Sequence, residues 1–449
     1  MFDPWKKLDG IMLAALRGRV TQTTGLTVAA AGIPAPLGSV VLILRGQGDP
    51  IEGEVIGFRD TLTLISPYES SWGVRQGDEV RLIRTARCFS VGDGLLGRVV
   101  DSRGRVIDNR PQPYVPDETA FENPPPSATS RAPIDTAIST GIRCIDGLLT
   151  CGRGQRMGIF SGSGVGKSVT LGMMARYSSA DVIVIALIGE RGREVNEFIL
   201  RDLGESGLAK SVVVVATSDQ PALQRIQAAQ AATSIAEYFR DQGRDVLLLM
   251  DSLTRFAMAQ REVGLAAGEP PAMRGYPPSV FGRLPQLVER AGRGTHGSIT
   301  AFYTVLVEGD DANEPISDTA RGLLDGHIML SRRLAGRGHY PAIDVLQSVS
   351  RLMPHVATRE QQSAAIEIRQ LLAAYQEHEE LISISAYRQG TNHLVDRAIA
   401  SRDSIHAFLQ QSVDLPFSLE QAQTALIQLA DACRQPEKPP NAPIHPATI

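Results

Sequence analysis

The sequence predicts a parallel α/β core carrying a P-loop, with a small antiparallel β-barrel before it and a helical domain after it. Three observations predict this arrangement. Between Gln155 and about Arg332, the apolar runs "DVIVIALIG", "SVVVVATS", "DVLLLMDS", "SITAFYTVL" and "GHIMLSR" alternate with longer helical stretches. Strands that are apolar throughout are buried on both faces, as in a parallel sheet covered by helices. From about residue 19 to 90, the runs "SVVLILRG", "IEGEVIGFR", "TLTLISPY" and "DEVRLIRTA" are short, β-branched and broken by Gly, Pro and Asp, which is the pattern of a small barrel. Past about Arg359 the strand signals stop, and "EQQSAAIEIRQLLAAYQEHEELI" and "VDRAIASRDSIHAFLQQ" read as helices.

Taken in chain order, residues 1–18 place Leu8, Ile11, Met12 and Leu16 at helical spacing. They are expected to form a helix that docks on a partner or a membrane surface, with packing on its own domain as the alternative. The barrel is expected over 19–92 and a connector over 93–133, where "NRPQPYVPDETAFENPPPSATSRAP" reads as an extended linker running over the surface. The α/β domain is expected over 134–356 and the helical domain over 357–432. The Pro-rich end, 433–449, reads as a disordered tail.

Composition bounds the function classes. A length of 449 residues allows about three domains, and 43% apolar with 21% charged residues is ordinary for a soluble globular chain. No apolar run approaches the roughly 18 residues that cross a bilayer. "MFDPWKKLDG" has charges and a proline where a secretory signal carries its apolar stretch, so a cytosolic protein is expected. Cys88, Cys144, Cys151 and Cys433 form no CxxC pair, which argues against structural zinc and for reduced thiols. A net charge of −4 argues against wholesale nucleic-acid binding, so no nucleic-acid partner is expected.

The chemistry is concentrated in "FSGSGVGKSV", residues 160–169, where the apolar run "GQRMGIF" hands over to the helical "SVTLGMMARY". A glycine-rich turn between strand and helix aims successive backbone N–H groups and the helix N-terminus at one small volume, a nest for phosphate oxygens. The expected ATP-binding set is Ser161, Gly162, Ser163, Gly164, Val165, Gly166, Lys167, Ser168 and Val169. Gly164 and Gly166 allow close approach of the backbone, Lys167 supplies charge, and Ser168 offers its hydroxyl to Mg²⁺. The usual first glycine of the motif is replaced by Ser161. "DVLLLMDS" ends a buried strand in Asp251, the expected carboxylate of the metal's water shell. "ALIGERGREV" puts Glu190 and Arg191 just past another strand, Glu190 to activate water and Arg191 to sense the γ-phosphate.

Together with "IEGEVIGFR", "CIDGLLTCGRGQRMGIF", "GERGREV", "LLLMDSLTRFA", "GEPPAMRGYPPSVFGRLPQLVERAG", "VEGDDANEPISDTARGLLDGHIMLSR" and "HYPAIDVLQSVSR", these motifs make the chain resemble the catalytic ATPase of type III protein export. That ATPase is a relative of the rotary ATP synthase catalytic subunit, and the resemblance covers nearly the whole chain. It implies a RecA-like core, a homohexameric ring, and ATP with Mg²⁺ bound between neighbours. It further implies that Arg351, in "SVSR", is an arginine finger reaching into the adjacent site, that Tyr340 packs on adenine, and that Arg255 lies near the phosphates. Two loops would face the central pore, one with Arg274 and Tyr276 and the other with Asp310, Asp311 and Glu314. Because non-catalytic subunits of rotary ATPases usually lack the glutamate at the position of Glu190, this chain is expected to make a complete ring alone.

The expected function is ATP hydrolysis that releases chaperones from export substrates and unfolds those substrates. "GMMARY" and "ISISAYRQGTN" lean toward the flagellar branch over the injectisome. A proton-translocating ATP synthase subunit is the alternative, against which "HEELISISAYRQGTNHLVDRAI" lacks the acidic segment that meets the rotor shaft. An RNA-translocating terminator-type ATPase would need basic and aromatic residues interleaved on the barrel, and residues 19–90 show none of that interleaving. The partners implied are a stator-like regulator at the N-terminal helix, a coiled-coil stalk, chaperone–substrate complexes and the export gate at the inner membrane, where the chain would sit peripherally.

Overall fold

Residues 16–127, 129, 131–307 and 314–434 are described by the computed structural model. The expected docking helix thus lies outside the described residues except at its end, where Arg17 and Gly18 already belong to the first barrel strand. Six strands, β1 (Arg17–Thr24), β2 (Thr27–Ala31), β3 (Val40–Leu44), β4 (Ile51–Arg59), β5 (Leu62–Pro67) and β6 (Glu79–Arg84), close into a barrel in the order β1-β2-β5-β4-β3-β6. Alternation along β3 turns Val41 and Ile43 inward, where they meet Val28, Val55, Ile65 and Val80, all fully buried. Closure leaves no free sheet edge.

The connector departs from the sequence expectation. β7 (Cys88–Val91) leaves the barrel, β8 (Arg98–Asp101) joins the central sheet, and β9 (Asp117–Ala120) returns to pair with β7. The reason is local: Val99 and Val100 are buried, one on each face of the sheet. Arg98 beside them donates two hydrogen bonds of 2.8 Å to the Asp108 carboxylate and a further one to the Pro111 carbonyl. These bonds fold the Pro-rich stretch back onto the domain.

After a short ladder between β10 (Ala137–Ile138) and β11 (Cys151–Gly152), the central sheet is built from β12 (Arg156–Ser161), β13 (Val182–Ile188), β14 (Ser211–Ala216), β15 (Asp245–Asp251), β16 (Gly292–Arg293), β17 (Ser298–Leu306), β18 (Gly326–Leu330) and β19 (Ile343–Ser350). Its order is β19-β18-β12-β17-β15-β13-β14-β8, with β16 alongside β17. All neighbours on that path run parallel except β18 and β19. The unbroken apolar run of β13 is explained by its two covers. Ile183, Ile185 and Leu187 pack toward one core and Val182, Val184, Ala186 and Ile188 toward the other, which includes Phe239 of the helix Ala222–Asp241.

The strand signals do stop where expected, and the helices Arg359–Ser383 and His393–Leu409 match the two read from the sequence. A third, Leu419–Arg434, was not read there. It packs Leu426 and Ala430 into the same core as Ile145 and Leu148 of the short helix Arg143–Leu148. It also takes in Cys433 and Arg434, the first two residues of the expected tail, whose remainder lies outside the described residues. Among the described residues, no helix is long and apolar enough to cross a membrane.

Candidate active site

Parallel strands deliver their C-terminal ends to one rim of the sheet, and there the segments after β12, β13, β14 and β15, with Leu306 at the end of β17, enclose a cleft of about 450 Å³. The loop after β12 turns through Gly164 (φ +77°) and Gly166 (φ +89°), left-handed conformations that favour glycine, and Gly166 caps the helix Lys167–Tyr177. Gly162, Ser163, Gly164, Gly166, Lys167, Ser168 and Val169 line the cleft. Ser161 and Val165 do not, because both side chains are buried in the fold, and the Ser161 hydroxyl has no hydrogen-bond partner among the described residues.

Lys167 is held between two carboxylates. Its Nζ lies 2.5 Å from Asp251 Oδ1 and 3.3 Å from Glu190 Oε1. Thr304, a polar residue in the apolar strand β17, donates to the same Asp251 oxygen at 2.7 Å. This is a contact the sequence reading missed, although Thr304 is conspicuous within "SITAFYTVL". Burial pulls the Lys167 pKa down, but the facing charges of Asp251 and Glu190 outweigh it and leave it raised. Burial and the Asp251 charge push the Glu190 carboxyl above its ordinary range. Arg191 is exposed on the cleft wall, 3.8 Å from Glu194, which also lines the cleft and accepts the Arg191 backbone N–H.

Arg255 is brought in by a strand-to-helix handover. β15 ends at Asp251, Ser252 accepts the Arg255 N–H at 3.1 Å as a helix cap, and the helix Leu253–Ala267 begins. A Cβ on Gly189 (φ +71°) would stand 3.2 Å from the Arg255 side chain, so the glycine leaves the space that this arginine occupies. The buried Arg255 Nε has no hydrogen-bond partner among the described residues. An unpaired guanidinium nitrogen at an anion nest is what a phosphate oxygen would satisfy. Tyr340 stands half-exposed beside the loop, where a Cβ on Gly166 would be 3.6 Å from its ring. The residues present therefore suit a nucleoside triphosphate, with phosphates toward Lys167 and Arg255 and base toward Tyr340.

Four further expected residues, Arg351, Tyr276, Arg274 and Glu314, do not line this cleft. β19 runs antiparallel to β18, pairing Ile343 with Leu330 and Ser350 with Gly326, so Arg351 sits at the opposite end of the sheet. Eight residues of strand put it roughly 25 Å from Tyr340 at the usual rise. There it is exposed and donates to the Arg321 carbonyl. Tyr276, expected to face a pore, is instead buried, because its ring packs against Phe281 and under the Arg261 guanidinium. Arg274 of the same loop is exposed. Asp310 and Asp311 lie outside the described residues, and Glu314 precedes the helix Pro315–Leu323 and accepts from Ser317 at 3.3 Å.

Fold and site together define a P-loop ATPase with a barrel in front of its RecA-like core. The family described as "ATP synthase alpha/beta family, nucleotide-binding domain" matches residues 141–350, and "T3SS EscN ATPase C-terminal domain" matches 357–428. The flagellum-specific ATP synthase of Bacillus subtilis (strain 168) is 50% identical over 414 residues, which is 92% of this chain and 94% of that one. The assembled ATPase EscN from the enteropathogenic E. coli type III secretion system superposes with a TM-score of 0.88 at 47% identity, covering 92% of this chain and all of the other. EscN in complex with its central stalk EscO gives 0.86 at the same identity and coverage. The chain belongs to the type III export ATPases of the ATP synthase alpha/beta family. It is an ATP-hydrolysing enzyme of that family.

Proposed function

We propose that this chain hydrolyses Mg²⁺-ATP as a homohexameric ring that energises type III protein export, in the flagellar branch. The observation that carries the reading is Lys167 held by Glu190 and Asp251 beside a cleft whose own chain carries Arg351 to the far end of the sheet. Such a site is complete only when a neighbour brings its Arg351. In the reaction, Glu190 orients a water and accepts its proton as the water oxygen bonds to the γ-phosphorus. The bond from that phosphorus to the β-γ bridging oxygen breaks, and ADP leaves with the electron pair. Lys167 and Arg255 offset the charge gathering on the phosphates, with Arg191 closing over the γ-phosphate. Ser168 and Asp251, the latter through water, would hold Mg²⁺, which when bound supplies charge neutralisation on the β- and γ-oxygens.

The stalk complex of EscN supports a central stalk partner for this ring, and the exposed Arg274 is the described residue read as meeting it. A stator-like regulator, chaperone–substrate complexes and peripheral attachment at the inner-membrane gate complete the reading. The flagellar assignment rests on "GMMARY" and "ISISAYRQGTN" and on relatives of the B. subtilis kind. Deleting the gene and restoring it as wild type or as Glu190→Gln tests the whole. Wild type should restore filament export and swimming. Glu190→Gln should fail, while the purified variant binds nucleotide but hydrolyses it ~10²–10⁴-fold more slowly, the usual weight of a general base. Restored swimming with the Gln variant would overturn the reading, and normal swimming after deletion would move the chain to the injectisome branch.

A further inference from the structure

The C-terminal helical domain reaches the base side of the cleft through one short segment. The helix His393–Leu409 ends, and residues 410–417 cross back to the nucleotide domain before the last helix begins. Gln411 is the buried centre of that segment. Its backbone N–H donates to the Tyr340 carbonyl at 3.0 Å. Its side-chain Oε1 accepts the Arg143 N–H at 2.7 Å, and its Nε2 donates to the Gly141 and Leu415 carbonyls, both at 2.8 Å. Every polar atom of its side-chain amide is used, which fixes the residue's orientation and the backbone N–H that meets Tyr340.

Two further ties bind the same segment to the phosphate side. Arg176 and Tyr177, the last residues of the helix that begins at Lys167, both donate to the Val413 carbonyl at 3.1 Å. Arg143 also hydrogen-bonds the Phe408 carbonyl at 2.7 Å and the Gln410 carbonyl at 2.5 Å, securing the end of the helix His393–Leu409. One strand of chain thus holds the far end of the phosphate-binding helix, the residue that faces the base, and the helical domain.

We propose that residues 410–417 form a strap in which Gln411 is the positioning residue that sets Tyr340 against the adenine, so that the helical domain governs base binding. This rests on the reading of Tyr340 as the base platform. Losing Gln411 leaves the phosphate nest intact but frees the Tyr340 backbone, so ATP binding weakens without a matching loss for ligands that lack a base.

Steady-state hydrolysis by the full chain, with tripolyphosphate as a competitive inhibitor, separates the outcomes. Gln411→Ala should raise the KM for ATP roughly five- to tenfold, the weight of one to two buried hydrogen bonds, with kcat changing less than KM. The inhibition constant for tripolyphosphate should stay within about twofold of wild type. Tyr177→Phe, which removes only a hydroxyl at an exposed site, should raise KM in the same direction by about twofold and keeps the test alive if Gln411→Ala misfolds. Tyr340→Ala serves as the control for the base reading. If it leaves KM unchanged, that reading fails first. If Tyr340→Ala raises KM while Gln411→Ala and Tyr177→Phe do not, or if tripolyphosphate affinity falls in parallel with ATP affinity, the strap is overturned.

Discussion

Glu190 and Lys167 were legible because a P-loop and the acid after the next strand are short-range patterns whose spacing carries the chemistry. Thr304 and Gln411 were not, since each is brought to the site by a distant segment, and Thr304 touches Asp251 across 53 positions of sequence. Tyr276 shows the opposite failure. A loop inferred from family likeness says nothing about which way one ring turns, and here the apolar ring finds Phe281 before it finds solvent. The raised carboxyl of Glu190 yields a prediction at this scale. A general base works only when ionised, and burial with a neighbouring Asp251 charge holds Glu190 protonated to higher pH than its ordinary 4.5. The kcat should therefore rise with pH along an acid limb whose midpoint lies above 4.5, and a pH–rate profile reads it directly. A limb at or below 4.5 would mean that another group sets the rate.

Elements whose hydrophobic pattern is decided by two buried faces, such as β13 and β14, were read correctly because nothing distant competes with that signal. The connector was misread for the converse reason. Four residues, "RVVD", are too few to show a period, and the prolines from Pro111 onward speak for a linker. What makes β8 a strand is an open edge on β14 and an ion pair ten residues on. Arg98 and Asp108 are both largely buried, so Arg98→Ala takes two hydrogen bonds from a carboxylate left with Arg110 and the Val99 N–H, and removes this donor from two carbonyls. The loss should be about 2 kcal/mol or more in urea-induced unfolding, and a change near zero would mean the edge strand holds without its anchor. The third C-terminal helix escaped notice beside the Pro-rich end, although Ala422, Leu426 and Ala430 repeat at four-residue spacing along its buried side.

At the scale of the whole molecule, the chain separates what a complete phosphoryl-transfer site would combine. The nest, Lys167, Glu190 and Asp251 gather at one rim of the sheet, while antiparallel β19 carries Arg351 to the other. Strand direction keeps a chain's own Arg351 away from its own nest, and on the proposed ring reading a neighbour's copy takes its place. A finger supplied in this way is worth ~10³–10⁵ in rate, far beyond the ~1 kcal/mol of an exposed salt bridge. The central claim is therefore that the active site is shared between chains. It is tested most directly by mixing Lys167→Ala and Arg351→Ala, each inactive alone, and measuring ATP hydrolysis per chain across protein concentration. Sharing predicts partial recovery on mixing, because some interfaces then pair an intact nest with an intact finger, together with a rate that climbs steeply with concentration. No recovery and a concentration-independent rate would show that each chain works alone, contradicting the account.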